Sequence, residues 1–201
     1  MLFLEGKKNI SNEELAELPL DAYKGEIVLV DSEEEIEEIC LGLQQYSILG
    51  FDTETRPAFK KGVVHEVSLL QLSTDDQVFL FRLNKIGIPN CLAKVLENKK
   101  IQKVGAAIRD DIKGLNRIRK FHADGFVELQ EFVKKFEIEN FGLKKLAGLV
   151  LGFRISKGQR LTNWENESLT KSQQVYAATD AWVSSEIYKT LLEHGSCLND
   201  K

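Results

Sequence analysis

Apolar positions form short runs in the first half of the chain and helical repeats in the second half. Each strand-like run ends in charged or turn-forming residues, as at the Asp75-Asp76 pair between two of them. The alternation and turn chemistry around that pair are typical of a β-hairpin. The predicted strands cover residues 26–30, 48–51, 65–73, 78–81 and 101–104.

Helices are predicted where apolar residues recur every three or four positions. Asp31 and Ser32 offer a cap for the first helix, and the acidic residues 33–35 favour its first turn. Thr170 is the predicted cap of the last helix, which reaches about residue 193. Strands cluster early and alternate with helices later, which predicts an α/β fold with a mixed central sheet flanked by helices. The predicted helices contain residues 36–43, 92–96, 112–115, 128–136, 142–151 and 171–193.

The composition is that of a globular protein. The 201 residues are 43% hydrophobic and 29% charged, which suits one domain with a sizeable core. We expect a polar N-terminal arm over residues 1–25, one domain over 26–195 and a tail over 196–201. No apolar run approaches the roughly 18 residues that a membrane span needs, and the start lacks the basic region of a signal peptide. Three cysteines without metal-binding spacing indicate reduced thiols and therefore a cytoplasmic protein.

Two carboxylates, Asp52 and Glu54, stand two residues apart at the carboxyl end of a predicted strand. Side chains at this spacing point to the same face of a sheet, so both carboxylates project together where the chain leaves it. Like charges in such a position repel unless a proton or a cation intervenes, and oxygen ligands without His or Cys suit Mg²⁺ or Mn²⁺. A pair of this kind is by itself more often a solvated strand end, so its meaning depends on the rest of the sequence.

Two further pairs of candidate residues lie on predicted helices. Tyr176 and Asp180 are four residues apart, which places a phenol and a carboxylate on one helix face. Alone, this pair is more typical of a core tyrosine beside a surface aspartate, but small residues on the same helix would let it lie close to the sheet. Asp110 and Asp111 begin a helix, where the helix dipole favours acidic residues. Asp111 borders the apolar face of that helix. Charge alone does not show which of the two aspartates faces the sheet.

Three blocks of residues carry a resemblance to a known family. They are Asp52-x-Glu54, residues 104–112 (VGAAIRDDI) and Tyr176-x-x-x-Asp180, and in this order and spacing they resemble the DEDDy 3′–5′ exonucleases. This family includes ribonuclease D, the proofreading domain of family A DNA polymerases and the exonuclease domain of the Werner syndrome protein. Asn163-Trp164 and residues 176–181 look most like the Werner type, and the resemblance runs from about residue 26 to 193.

The resemblance implies a ribonuclease-H-like exonuclease fold and metal-dependent hydrolysis of a nucleic acid from its 3′ end, releasing nucleoside 5′-monophosphates. Tyr176 matches the residue that orients the attacking water. Asp111 is matched rather than Asp110 because the family's acid is followed by an apolar residue and, four positions on, by Leu or Phe. In this family four carboxylates hold two divalent ions, Mg²⁺ or Mn²⁺, and the matching positions are Asp52, Glu54, Asp111 and Asp180.

Basic, aromatic and hydroxyl side chains near these blocks are candidate substrate contacts. Arg56 is placed to meet a phosphate or to form a salt bridge, and Phe59 is the nearest aromatic residue for stacking on a terminal base. Thr53 lies between the two carboxylates of the first block. Lys157 and Arg160 belong to a Gly-containing loop that suits phosphates but also has the composition of an ordinary solvated loop. The basic cluster before the last helix consists of Lys144, Lys145, Arg154, Lys157 and Arg160.

The expected partner is a nucleic acid, with DNA as the first substrate because of the resemblance to the Werner type. A ribonuclease D-like exoribonuclease in RNA processing is the alternative, since no residue reveals a pocket for the 2′-hydroxyl. A catalytically silent nucleic-acid-binding or scaffold protein is a third hypothesis, which the presence of all four acids and the tyrosine disfavours. The net charge of -4 argues against binding by bulk charge, but a local basic groove remains compatible with it.

Overall fold

The computed structural model describes the backbone of residues 7–199 and the side chains of residues 7–195. The first six residues of the predicted arm therefore lie outside the described part of the chain. The same holds for residues 200–201 of the predicted tail and for the side chains of residues 196–199.

A six-stranded mixed sheet forms the centre of the described part of the chain. The strands are β1 (Glu26–Val30), β2 (Ile48–Thr55), β3 (Val67–Ser73), β4 (Gln77–Phe81), β5 (Gln102–Gly105) and β6 (Phe126–Glu128). Their order across the sheet is β1-β4-β3-β2-β5-β6. β3 runs antiparallel to both of its neighbours, β2 and β4, as the predicted hairpin requires, and the other adjacent pairs are parallel. The predicted mixed sheet is thus confirmed.

Helices cover both faces of this sheet. They are α1 (Asn12–Glu17), α2 (Ile36–Leu43), α3 (Leu83–Ile86), α4 (Asn90–Glu97), α5 (Arg109–Ile118), α6 (Leu129–Phe132), α7 (Leu143–Leu146) and α8 (Lys171–Asn199). α6 continues as a 3₁₀ helix over Val133–Phe136, and α7 continues as a π-helical turn over Ala147–Leu151. Residues of α2 and α4 join one buried apolar cluster, and residues of α8 join two others. No helix among residues 7–199 is long and apolar enough to cross a bilayer.

The start of α2 corrects one prediction. The helix begins at Ile36 after a bend, and its N-cap residue, Glu35, makes no side-chain capping hydrogen bond. The predicted cap at Asp31 or Ser32 is wrong because residues 32–35 form a bend, so both side chains lie too far from the first helical turn to cap it. The predicted cap of α8 is confirmed, since the Gln173 backbone N–H donates to Thr170 Oγ1 at 3.2 Å. α8 ends at Asn199, about six residues beyond the predicted end.

The N-terminal segment packs against the sheet-covering helices. Ser11 and Glu14 form a reciprocal capping box that begins α1. Ile10 and Leu15 are buried in a cluster shared with the π-helical turn and with the middle of α8. Part of the segment predicted as a polar arm is therefore helical and contributes to the core.

α8 lies very close to the sheet where it crosses β2. A β-carbon built on Gly50 would collide with the carbonyl oxygen of Ala181 and with the Ser73 hydroxyl. The small residues Ala177, Ala178 and Ala181 are fully buried along the same side of α8. Because neither side carries a large side chain at the crossing, the helix backbone lies directly on the strand, as the small residues of the sequence predicted.

We expect Gly50→Ala to lower the free energy of unfolding by about 3 kcal/mol or more, because the added carbon overlaps a backbone carbonyl that can move only with α8. Denaturant titration followed by circular dichroism measures this change.

The matched control is Gly42→Ala in α2, where an added β-carbon meets no atom within 4 Å. There the helical preference of alanine should raise the free energy of unfolding by about 0.5–1 kcal/mol. Equal stabilities for the two variants would contradict the close approach of α8 to β2.

Candidate active site

Three carboxylates meet at the crossing of β2 and α8. Asp52 and Glu54 project from the same face of β2, and Asp180 projects from α8. One oxygen from each of the three lies within 4.8 Å of the others. Glu54 is buried, and the other two are partly buried. The pair at the strand end and the distant helix acid are thus brought together by the fold.

Burial and mutual repulsion oppose ionisation of this cluster. Burial, followed by the nearby charges of Asp180, Glu54 and Asp111, holds the pKa of Asp52 well above its usual range. Burial raises the pKa of Glu54 to about 9, with further contributions from Asp180 and Asp111. Burial also raises the pKa of Asp180 to about 7, although the Tyr176 hydroxyl and Lys157 act in the opposite direction. When the three carboxylates are ionised, their negative charge is therefore not compensated by the positive charges nearby.

A divalent cation fits this donor set. The three groups offer oxygen atoms alone, without sulfur or imidazole, and hard cations such as Mg²⁺ and Mn²⁺ prefer such ligands. A bound cation would favour the ionised form of each carboxylate and so offset the effect of burial. These residues can therefore hold a divalent metal.

A fourth acidic group, Asp111, lies at the edge of the cluster. Its carboxylate accepts a hydrogen bond from the Thr53 hydroxyl, and its charge contributes to the raised pKa values of Asp52 and Glu54. The neighbouring Asp110 has an 89% exposed side chain and pairs with Lys113 at 2.8 Å. The geometry thus favours Asp111 over Asp110 as the acid that faces the cluster.

The turn that precedes α5 sets the position of Asp111. Ala107 has a φ of 61°, in the left-handed region, and its N–H donates to the Glu128 carboxylate at 2.8 Å. The next N–H, from Ile108, donates to the other oxygen of Glu128 at 2.9 Å. A single carboxylate on β6 therefore fixes the start of α5. Strand β6 was not predicted, because three residues are too few to show a periodic pattern.

Tyr176 lies one helical turn before Asp180, with its hydroxyl against the Asp180 carboxylate. Burial, followed by the charges of Asp180 and Glu54, raises the pKa of the Tyr176 hydroxyl far above its ordinary value. The phenol therefore remains protonated and acts as a hydrogen-bond donor. Its ring lies 6.1 Å from the ring of Trp164, centroid to centroid. Trp164 is fully buried.

An open cleft of about 300 Å³ lies above the carboxylates. Asp52, Asp180 and Tyr176 form its floor. Its walls carry positive charge and amide groups from Lys144, Lys157, Arg160 and Gln130. Among the predicted substrate contacts, Lys157 and Arg160 thus lie in the cleft. Gln130 was not predicted, because nothing in its local sequence places it opposite a basic loop.

Other members of the predicted set lie outside this cleft. Arg56 forms the salt bridge that was its alternative interpretation, with its Nη1 atom 3.0 Å from Glu165. Phe59 has an 81% exposed side chain and lines an adjoining groove of about 300 Å³ together with Leu161. Arg154 is directed to the N-terminal segment, where its Nε atom donates to the carbonyl of Leu18 at 3.0 Å.

Comparison with known proteins agrees with this geometry. Residues 27–195 match the sequence model of a family described as 3'-5' exonuclease. The mouse bifunctional 3'-5' exonuclease/ATP-dependent helicase WRN is 35% identical over 161 residues, which cover 77% of this chain and 12% of that protein. A 3'-5' exonuclease of Arabidopsis thaliana is 31% identical over 157 residues, which cover 72% of this chain and 52% of that protein. The chain thus spans about half or less of the length of these relatives.

Solved structures share the fold. The EXO domain of Aedes aegypti Nibbler superposes with a TM-score of 0.77 at 26% identity, covering 89% of this chain and 94% of that chain. Escherichia coli RNase D superposes with a TM-score of 0.73 at 19% identity, covering 87% of this chain and 46% of that chain, which supports the ribonuclease-H-like fold alone. With the family match over most of its length, this chain belongs to the 3′–5′ exonuclease family.

Proposed function

We propose that this chain is a 3′–5′ exonuclease that hydrolyses the last phosphodiester bond of a nucleic-acid strand. The observation that supports this most directly is the convergence of Asp52, Glu54 and Asp180 within 4.8 Å, beside Tyr176 and below the basic wall of the cleft. The acidic floor of the cleft favours bound cations, and its basic wall attracts anions. Both properties suit a phosphodiester, which carries negative charge and reacts with water at phosphorus.

The proposed metal content is two divalent ions, Mg²⁺ or Mn²⁺. Asp52, Glu54 and Asp180 would hold them together with Asp111, which lies at the edge of the cluster. When bound, the ions would stabilise the charge on the entering and the leaving oxygen of an in-line displacement.

The side chains of the protein would orient the reactants. The Tyr176 hydroxyl donates to Asp180 in this structure. Once the Asp180 carboxylate held a cation, the single O–H of Tyr176 would be free to donate to the attacking water and so to direct it. Lys157 and Arg160 would bind phosphate oxygens from the wall of the cleft. As the water oxygen bonds to phosphorus and gives up a proton to solvent, the bond from phosphorus to the 3′ oxygen breaks and that oxygen takes up a proton. The products are a nucleoside 5′-monophosphate and a strand with a new 3′-hydroxyl.

DNA is the first proposed substrate, supported by the 35% identity to the mouse WRN protein. RNA is the alternative, because the described residues identify no pocket for the 2′-hydroxyl. A matched assay separates the two. The purified chain would be mixed with single-stranded DNA, 3′-recessed duplex DNA and single-stranded RNA of one sequence, each with Mg²⁺, Mn²⁺ or EDTA.

We expect stepwise 3′ shortening of DNA in the presence of either metal and none in EDTA. Asp52→Asn should lower the rate by on the order of 10³-fold or more, since it removes a charge from the centre of the cluster. Tyr176→Phe should lower kcat by about 100-fold with little change in KM, because the water loses its donor. Gel electrophoresis and mass spectrometry of the released nucleotides measure both effects.

Asp110→Asn is the control, because Asp110 is exposed and directed away from the cluster. It should retain the rate of the unmodified chain, which excludes a contaminating nuclease if Asp52→Asn from the same purification is inactive. Shortening of RNA alone would assign the chain to the exoribonuclease alternative. Binding without shortening of any strand would support the silent scaffold and contradict the proposed activity.

Metal binding should also be visible in stability. At a Mn²⁺ concentration 100 times its Kd, we expect the free energy of unfolding to rise by about 2.7 kcal/mol, or roughly 5–10 °C in Tm for a domain of this size. Asp52→Asn should abolish most of this rise, because it removes a ligand and part of the negative charge that attracts the ion. Differential scanning calorimetry at several Mn²⁺ concentrations measures it.

The pair Asp111→Asn and Asp110→Asn tests the assignment of the fourth acid. Asp111→Asn should reduce the stabilisation by Mn²⁺, whereas Asp110→Asn should leave it unchanged because its carboxylate pairs with Lys113. The opposite result would assign the fourth position to Asp110.

A further inference from the structure

Gln71 is an anomalous residue in the middle of the sheet. Its side chain is fully buried in β3, and neither its Oε1 nor its Nε2 atom has a hydrogen-bond partner among the described residues. A buried amide without partners is strongly disfavoured, because it gives up its hydrogen bonds to water. An apolar residue of similar size would fill this position without that penalty. We therefore expect the amide of Gln71 to have a function that an apolar side chain could not provide.

The register of the sheet places Gln71 beside the candidate metal ligands. It lies directly opposite Asp52 in the antiparallel pair of β2 and β3. Two residues away, Gly50 and Ser73 form the opposite pair that faces α8 at Ala181. Because side chains two apart share a face, Gln71 and Asp52 also face α8, and opposite residues have β-carbons about 4.5–5.5 Å apart. Gln71 is thus the cross-strand neighbour of Asp52.

A second residue with an unpartnered polar atom lies in the same part of the core. The indole nitrogen of Trp164 is buried without a hydrogen-bond partner among the described residues. Trp164 belongs to a core cluster with Leu69 and Leu80. These two leucines are the neighbours of Gln71 on the α8-facing side, along β3 and across to β4. The indole N–H is a donor, and the Gln71 amide offers one acceptor and two donor positions.

We propose that Gln71 is a positioning residue for Asp52. In the metal-loaded site its Nε2 group donates to one carboxylate oxygen of Asp52, and its Oε1 atom accepts from the Trp164 indole N–H. This role rests on the proposed exonuclease function, for which Asp52 is a metal ligand. The arrangement satisfies three unpartnered buried atoms at once and links Asp52 to Trp164, whose ring packs near Tyr176.

A neutral donor suits this position. Asp52 is already surrounded by the charges of Glu54, Asp111 and Asp180. An amide fixes the direction of one carboxylate oxygen without adding a charge that would compete with a divalent cation. The other carboxylate oxygen of Asp52 would remain free to bind metal.

The test compares Gln71→Met with the unmodified chain, using Mn²⁺ alone as the probe. Methionine has a similar length and no amide. Without metal, the Tm of the variant should equal or exceed that of the unmodified chain, because an unpartnered amide has been removed. The Kd for Mn²⁺, measured from free Mn²⁺ by electron paramagnetic resonance, should rise by about 10-fold or more, as for other groups that orient metal ligands. Replacing a residue with a purely structural role would not weaken Mn²⁺ binding while leaving the metal-free Tm unchanged or higher.

Ser73→Ala is the matched control, from the same strand and the same face. It loses the hydrogen bond between Ser73 and Ser185, at 3.2 Å, so it should lower the Tm. Its Kd for Mn²⁺ should stay within about twofold of the unmodified value, since Ser73 lies opposite Gly50 and not opposite Asp52.

Trp164→Phe provides a second route if Gln71→Met does not fold. It keeps an aromatic ring in the core but removes the indole N–H, and the Kd for Mn²⁺ should rise by about threefold. If both variants fold, combining them should raise the Kd little beyond Gln71→Met alone, because they interrupt one chain of hydrogen bonds.

An unchanged Kd for Mn²⁺ in a folded Gln71→Met variant, or in Trp164→Phe where only that variant folds, would overturn the proposal. Failure of the proposed exonuclease function gives a different result. In that case the unmodified chain would bind Mn²⁺ and shorten no strand, while the effect of Gln71→Met on the Kd would still decide the role of Gln71.

Discussion

The contact of α8 with β2 is the constraint on which the candidate site depends. Gly50 and Ala181 bring the two backbones together so closely that one additional carbon would not fit. The carboxylates cannot supply this attraction, because Asp52 and Asp180 raise rather than lower the free energy of the metal-free site when both are ionised. Apolar packing along the rest of α8 must therefore hold the acids together. Packing of the core thus holds the carboxylates at distances from which their mutual repulsion would otherwise drive them apart.

The acids of the cleft lie on regular elements, whereas two of its cations lie in an exposed loop. The acids project from β2 and α8, which are regular elements with buried neighbours. The cations Lys157 and Arg160 lie in an exposed loop. Metal ions need ligands at fixed positions, whereas the nucleic-acid strand of the proposed reaction would need contacts that form and break as it advances. The division of charge between the two kinds of structure matches these two demands.

Local patterns predicted the parts of the site that depend on short spacing. The two-residue spacing of Asp52 and Glu54 predicted a shared face, and the capping of α8 at Thr170 was read from the sequence. The approach of Asp180 to β2 was expected only from small residues and from the family resemblance. Contacts such as that of Asp31 with Lys85 join residues far apart in the chain. No periodic pattern encodes such pairs, so the sequence alone could not reveal them.

The polar residues of β3 show that a buried polar side chain can be interpreted only once its partners from other parts of the chain are known. The strand is buried on both faces, so Ser68, Gln71 and Ser73 are all anomalous in it by composition. Ser73 bonds to Ser185 on α8, and Ser68 bonds to the carbonyl of Glu66. Gln71 has neither kind of partner and lies opposite Asp52 of the carboxylate cluster. The serines are thus satisfied by the fold itself. In the proposed arrangement the glutamine is satisfied by Asp52 and Trp164, which ties its presence in the core to the chemistry of the cleft.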